Sequence, residues 1–199
     1  MVAVRNTMTP EQAKLITLAK QGDSQAISQL YRAHAQAIYR YIAYRVPTSA
    51  DAEDITSDVF MRMLEGLSSY EIMSVPFEAW LYRIATHRIA DFFRKRSRQK
   101  THIELHETLA NDDPMPEESI QKQQEFKNLR TALGYLSQEQ QDVLILRFIE
   151  NKSHEDVANI LEKSQSAVRT IQHRALVRLS QLLGADEKAK HYLRGDAHD

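Results

Sequence analysis

At Thr9 to Gln12, Thr48 to Asp51, Ser137 to Gln140 and Ser153 to Asp156, a hydroxyl side chain precedes by three residues an amide or acid, and each pair opens a stretch with apolar residues at helical spacing. Such capping boxes satisfy the amides that the first turn of a helix leaves without a partner, so each predicts a helix start. After Gly22, the residues Ile27, Leu30, Tyr31, Ile38, Tyr41 and Ile42 keep a helical period up to Arg45, where Val46-Pro47 stops it. Ile55, Val59, Phe60, Met63, Leu64 and Leu67 repeat that period after Thr48. Phe77, Trp80, Leu81, Ile84, Ala85 and Ile89 repeat it after Pro76, which suits a first helical turn. Residues 68–76 carry no period and read as a loop. With only 5 Gly and 5 Pro, hairpin turn signals are scarce, and the chain is predicted to be all-α.

A content of 42% hydrophobic residues in 199 supports packed cores rather than disorder. Residues 101–124 break the pattern with Asn111-Asp112-Asp113-Pro114-Met115-Pro116 and low hydrophobicity, which reads as a flexible acidic linker between two small helical domains. The absence of Cys excludes disulfides, thiolate zinc sites and cysteine nucleophiles. No apolar run approaches the roughly 20 residues that span a bilayer, and the first thirty residues hold no signal core, so no membrane insertion is predicted and a cytoplasmic location is expected.

A net charge of -1 does not mark a nucleic-acid binder, but the charges are segregated. Arg83, Arg88, Arg94, Lys95, Arg96, Arg98 and Lys100 stand against Asp91 alone, a local balance of +6. The next stretch, Thr101 to Glu125, reverses it to -6. The run from Trp80 to Arg96 interleaves aromatics with cations, a mixture that binds phosphates and stacks on unpaired bases. The same run also fits a core of Phe77, Trp80 and Phe92 with a solvated basic helix end. Asp51, Glu53, Asp54 and Asp58 fall in the first turns of one helix, where acids complement the dipole or form a face for a basic partner.

In the second half, Val157, Ala158, Ile160 and Leu161 form a short amphipathic helix, and a new one starts after the polar stretch Glu162 to Ser166. Val168, Ala175, Leu176 and Leu179 face inward, Ser166, Thr170 and His173 point the other way, and Arg169 and Arg174 flank them. From Lys163 to Leu182 the charges are Lys163, Arg169, Arg174 and Arg178, with no acid. That is a helix-turn-helix whose second helix presents side chains suited to base edges and phosphates. An ordinary helical hairpin with a basic face would show the same spacing.

Taken in order, Leu30-Tyr31-Arg32-Ala33-His34 with Tyr39-Arg40-Tyr41, Asp51-Ala52-Glu53-Asp54 leading to Val59-Phe60, Trp80-Leu81-Tyr82-Arg83-Ile84-Ala85, and Leu146-Arg147-Phe148 before His173-Arg174-Ala175-Leu176 resemble the extracytoplasmic-function (ECF) group of the sigma-70 family over about residues 10 to 183. The resemblance implies a sigma factor that binds RNA polymerase core and directs promoter-specific transcription initiation. It implies a region 2 helical bundle at 10–98, a linker at 99–125 that threads the polymerase cleft, a region 4 helix-turn-helix at 126–183, and a tail at 184–199 without an assigned role. It places Asp51, Glu53, Asp54 and Asp58 on the helix that docks on the polymerase clamp coiled coil, and the flap is the other polymerase partner. It assigns Tyr70, Trp80, His87, Arg88, Arg94, Lys95 and Arg96 to the minus-10 element, with the 68–76 loop where a base is captured as strands separate. Ser166, Arg169, Thr170, His173 and Arg174 match the reader of the minus-35 element. The partners it implies are polymerase core, double- and single-stranded promoter DNA and an anti-sigma factor, with no cofactor and no catalytic residue. The chain departs from the family at Ser57, where Gln is usual, at His87 (Asn), at Ala167 (Thr), and at Ile171-Gln172, where an Arg-Leu pair is usual.

Two other readings compete. A regulator that binds an operator alone would need a dimer interface or ligand pocket that the sequence does not locate. An enzyme or zinc protein would have to use His102, Glu104 and His106, or His154-Glu155, since no nucleophile constellation or phosphate loop appears.

Overall fold

The computed structural model describes residues 9–72, 75–100 and 120–182, which fall into two compact units. Every regular element among them is helical. Residues 101–119 of the expected linker, the tail at 184–199, and residues 73–74 of the loop lie outside the described residues.

The first unit contains α1 (Pro10–Lys20), α2 (Ser24–Ala43), α3 (Ser49–Gly66) and α4 (Phe77–Lys100), with a 3-10 turn at Leu67–Ser69. Thr9 caps α1 with the full reciprocal box, its side chain accepting from Gln12 N at 3.2 Å while Gln12 Oε1 accepts from Thr9 N at 3.3 Å. Gly22, at φ +86, makes the turn into α2 in a backbone region that side chains with a Cβ rarely adopt. Asp23 then caps α2, accepting from Ala26 N at 2.7 Å. Thr48 caps α3 by only half of the expected box. Its oxygen accepts from Asp51 N at 3.0 Å, and its hydroxyl donates to the Asp51 carboxylate at 2.7 Å, so that carboxylate bonds the capping side chain.

Helix α2 stops at Ala43, two residues short of the expected Arg45. Pro47 disfavours helical geometry at Val46, and the chain tightens instead, with Arg45 N bonding Ile42 O at 2.8 Å and both Arg45 and Val46 buried. The core where α2, α3 and α4 converge holds Ile38, Tyr41, Ile42, Val59, Met63, Leu81, Tyr82, Ala85 and Ile89. Tyr41 and Tyr82 meet edge to face at 5.3 Å. The Thr86 hydroxyl donates to Tyr82 O at 2.9 Å, so the buried Tyr41 phenol is the donor in its 3.1 Å bond to Thr86 Oγ1. Burial pushes that phenol's pKa up.

The second unit contains α5 (Ile120–Gly134), α6 (Gln138–Leu144), α7 (His154–Leu161) and α8 (Gln165–Leu182). Helix α5 begins six residues before the expected boundary at 126, so residues 120–125 are helical although they were expected in the linker. Polar side chains there do not oppose a helix, because Gln and Lys are good helix formers. Ser137 and Ser153 cap α6 and α7 with complete reciprocal boxes. Helix α6 widens into a π turn over Ile145–Ile149, where Glu150 N bonds Ile145 O at 3.0 Å. Asn151 (φ +51) and Glu162 (φ +54) are left-handed, the second ending α7 at the turn before α8. Val143, Ile145, Leu146, Val157, Val168 and Ala175 are fully buried in this unit, while Leu176 and Leu179, expected inside, are half-buried.

Candidate nucleic-acid interface

The acidic start of α3 divides in two. Glu53 and Asp54 are exposed. Asp51 is occupied by its cap, and Asp58 pairs with Arg88 of α4 at 3.3 Å and lies 4.0 Å from Arg62. The same unit also exposes apolar side chains that periodicity places inside: Tyr31 is 49% exposed and Leu64 42%. Met61, at 57%, extends this surface. Tyr31 rests edge-on against Phe60 at 4.7 Å, so the two share one hydrophobic patch. An apolar period cannot separate a core position from an interface position, because both need the same residues. Met61 had a usable signal, lying next to the buried Phe60 and three residues before Leu64.

At the loop, Tyr70 is only 5% exposed. Its ring packs on Phe77 at 5.4 Å and on Trp80 at 4.9 Å, its hydroxyl donates to Val75 O at 2.6 Å, and its carbonyl accepts from Lys20 Nζ at 2.6 Å. Burial pushes the phenol up to about 12. The expectation of Tyr70 at the DNA surface therefore meets a side chain that anchors the loop to α4, turned inward by the adjoining aromatics. Trp80 is half-buried, and its Cζ2 lies 3.1 Å from where a Cβ on Gly66 would stand, so any larger residue there would push the ring by a few tenths of an ångström.

Along α4, His87, Arg94 and Lys95 are exposed, whereas Arg88 and Arg96 are half-buried. Arg88 bonds Asp58 and Asp91, Arg94 bonds Asp91, and Arg96 lies over the Phe92 ring at 5.9 Å. His87, Arg94 and Arg98 recur on one side of the helix, with Asp91 in their middle.

In the second unit, Ser166, Arg169, Thr170, His173 and Arg174 are all exposed on α8, opposite the buried Val168 and Ala175. The Ser166 hydroxyl is 3.0 Å from Ser164 Oγ, whose oxygen also accepts from Ala167 N at 3.2 Å. Thr170 donates to Ser166 O at 3.0 Å. The two hydroxyls are thus pre-set by local bonds, while Arg169 and Arg174 stand exposed. Lys163 pairs with Glu139 of α6 at 2.8 Å, tying the turn to the scaffold. Behind α8, Gln172 Oε1 accepts from Arg147 Nε at 3.3 Å and lies 3.0 Å from His154 Nε2. Burial first, then the Arg147 charge, hold the His154 pKa below its ordinary value.

No group of three or more His, Asp or Glu among the described residues is arranged to hold a metal. The His102, Glu104 and His106 set lies outside the described residues. No described helix is long and apolar enough to cross a membrane.

The Sigma-70 region 2 family model matches residues 30–99, and the Sigma-70 region 4 model matches residues 132–181. The chain is 34% identical over 177 residues to the ECF RNA polymerase sigma factor BldN of Streptomyces coelicolor, covering 88% of this chain and 67% of that one. Its structure is similar to that of CnrH in complex with the cytosolic domain of CnrY, with a TM-score of 0.68 at 25% identity, covering 86% of this chain and 96% of that one. It is likewise similar to the sigma factor RpoE in complex with the anti-sigma factor NepR from Bartonella quintana, with a TM-score of 0.65 at 25% identity and coverage of 80% and 97%. A region 2 bundle followed by a region 4 helix-turn-helix defines a transcription initiation factor. The chain belongs to the ECF group of the sigma-70 family, and it directs promoter-specific transcription initiation with RNA polymerase core.

Proposed function

We propose that the chain acts in the cytoplasm as a non-enzymatic factor, with 10–98 working as region 2, the helices from Ile120 onward as region 4, and the stretch between them as the linker. Bond-making belongs to polymerase, and this chain supplies binding free energy for promoter positioning and strand opening. Glu53 and Asp54, together with Tyr31, Met61 and Leu64, dock on the clamp coiled coil, with Asp51 and Asp58 at the edge of that surface. Trp80, His87, Arg94 and Lys95 meet the minus-10 strands, Arg88 and Arg96 support them from half-buried positions, and Tyr70 holds the loop in place.

The observation that carries the upstream reading is α8. Its five expected readers are exposed together, its buried face fixes it on the scaffold, and α8 itself carries Arg169, Arg174 and Arg178 without an acid in its own sequence. Arg169→Ala in the reconstituted holoenzyme should weaken binding to a matched promoter by roughly 1 to 3 kcal/mol. If it weakens binding to a promoter scrambled upstream equally, Arg169 contacts phosphate and not a base. By analogy with RpoE, which is solved with an anti-sigma factor, a protein partner covers the polymerase-docking face when the chain is held inactive. Co-purification that recovers polymerase and nothing else under non-inducing conditions would count against that partner.

A further inference from the structure

We propose that Gln172 is a positioning residue for upstream promoter recognition, whose side-chain oxygen bridges Arg147 and His154 and so sets the orientation of α8 on its scaffold. The role rests on the reading of α8 as the upstream reader.

One oxygen joins three elements. Gln172 Oε1 belongs to α8, Arg147 Nε to the π turn and His154 Nε2 to the first turn of α7, at 3.3 Å and 3.0 Å. An amide oxygen only accepts, so the imidazole carries its proton on Nε2. Arg147 is further fixed because its Nη1 donates to Lys152 O, and Lys152 N in turn bonds Leu146 O at 2.9 Å. The guanidinium is therefore held at both ends, and Gln172 is the acceptor on the α8 side.

The apolar contacts between α7 and α8 turn the Val168 and Ala175 face of α8 inward but set its rotation only coarsely, because hydrophobic contact is non-directional. Two hydrogen bonds converging on one oxygen set it more closely. Gln172 stands three residues after Arg169, so the two share a side of the helix, and a rotation of α8 about its axis moves both together. The Arg169 charge is felt at Arg147 and at His154, which places all of these groups in one neighbourhood. Asp156 is the acid acting on Arg147 from α7.

The chemistry selects an oxygen acceptor. Leucine would fill the volume but leave Arg147 Nε and His154 Nε2, both half-buried, without this acceptor. Glutamate would keep both bonds, adding a charge that pairs with Arg147 and favours the imidazolium form of His154.

The test uses the full chain bound to core polymerase, a promoter fragment recovered by run-off transcription, and the same fragment with its upstream element scrambled. Gln172→Leu should lower the preference for the matched fragment about tenfold, with little change on the scrambled one, and Gln172→Glu should restore most of it. In the free chain, NMR titration should show the His154 midpoint rising in Gln172→Glu. A Gln172→Leu protein that melts earlier yet keeps the wild-type preference would reduce the bridge to a stability element and overturn the positioning role. A His154 midpoint unmoved in Gln172→Glu would overturn the bridge itself. If the wild-type holoenzyme makes no distinction between the fragments, the upstream reading of α8 fails first and the role of Gln172 fails with it.

Discussion

The carboxylate of Asp58 and the guanidinium of Arg88 meet at 3.3 Å between α3 and α4. Asp58 stands on the helix proposed to dock on polymerase, and Arg88 on the helix proposed to meet DNA. Arg88 also holds Asp91, which holds Arg94, so one chain of charges links the two surfaces.

Both partners are partly exposed, so the pair contributes little to folding, up to about 1 kcal/mol. A double-mutant cycle of Asp58→Asn and Arg88→Gln, followed by urea denaturation of the full chain, should give a coupling within that range and one that shrinks as salt rises. A coupling indistinguishable from zero at low salt would mean that the pair does not form in solution.

Trp80 is the only tryptophan, so its emission reports one place. Gly66→Ala improves helix propensity by about 1 kcal/mol, but the new Cβ meets the indole at 3.1 Å, and overpacking costs about 1 to 3 kcal/mol. The clash should win. The variant should be less stable by about 1 kcal/mol, with the emission shifted to the red as the ring moves toward water. Unchanged emission together with raised stability would show that the ring has room to spare.

The Tyr70 phenol titrates near 12 when folded, against an ordinary 10.0. Because the folded value is the higher one, the stabilisation is complete below pH 10 and is lost as pH rises from about 10 toward 12, where the unfolded chain releases its proton first. Subtracting the absorbance titration of Tyr70→Phe from that of the wild type should leave a phenolate step close to 12. A step near 10 would place Tyr70 in water and remove it as the anchor of the loop.

What could be read in advance followed the range of each interaction. The caps at Thr9, Ser137 and Ser153 bond across three residues, and their geometry is implied by local order alone. The helix-turn-helix followed for the same reason, since Val168 and Ala175 sit seven residues apart on one face. Asp58 and Arg88 are thirty residues apart, and nothing local joins them. Tyr70 reads as an aromatic in a polar loop until α4 packs against it, and Tyr31 and Leu64 read as core because an apolar residue at a helical period looks the same on either kind of surface. Gln172 reads as a polar interruption. Its meaning depends on Arg147 and His154, which only the packed second unit brings to one oxygen.

The most direct measurement is run-off transcription with purified core polymerase on a pool of promoter fragments, comparing the wild-type chain, a Glu53→Lys, Asp54→Lys double variant, and Arg169→Ala. The wild type should yield promoter-specific transcripts absent from core alone. The double variant should lose them together with core binding, by at least about tenfold at moderate salt. Arg169→Ala should still bind core while its transcripts fall. Equal transcription from all three proteins would contradict the placement of both surfaces, and no transcript with no core binding from the wild type would contradict the initiation function itself.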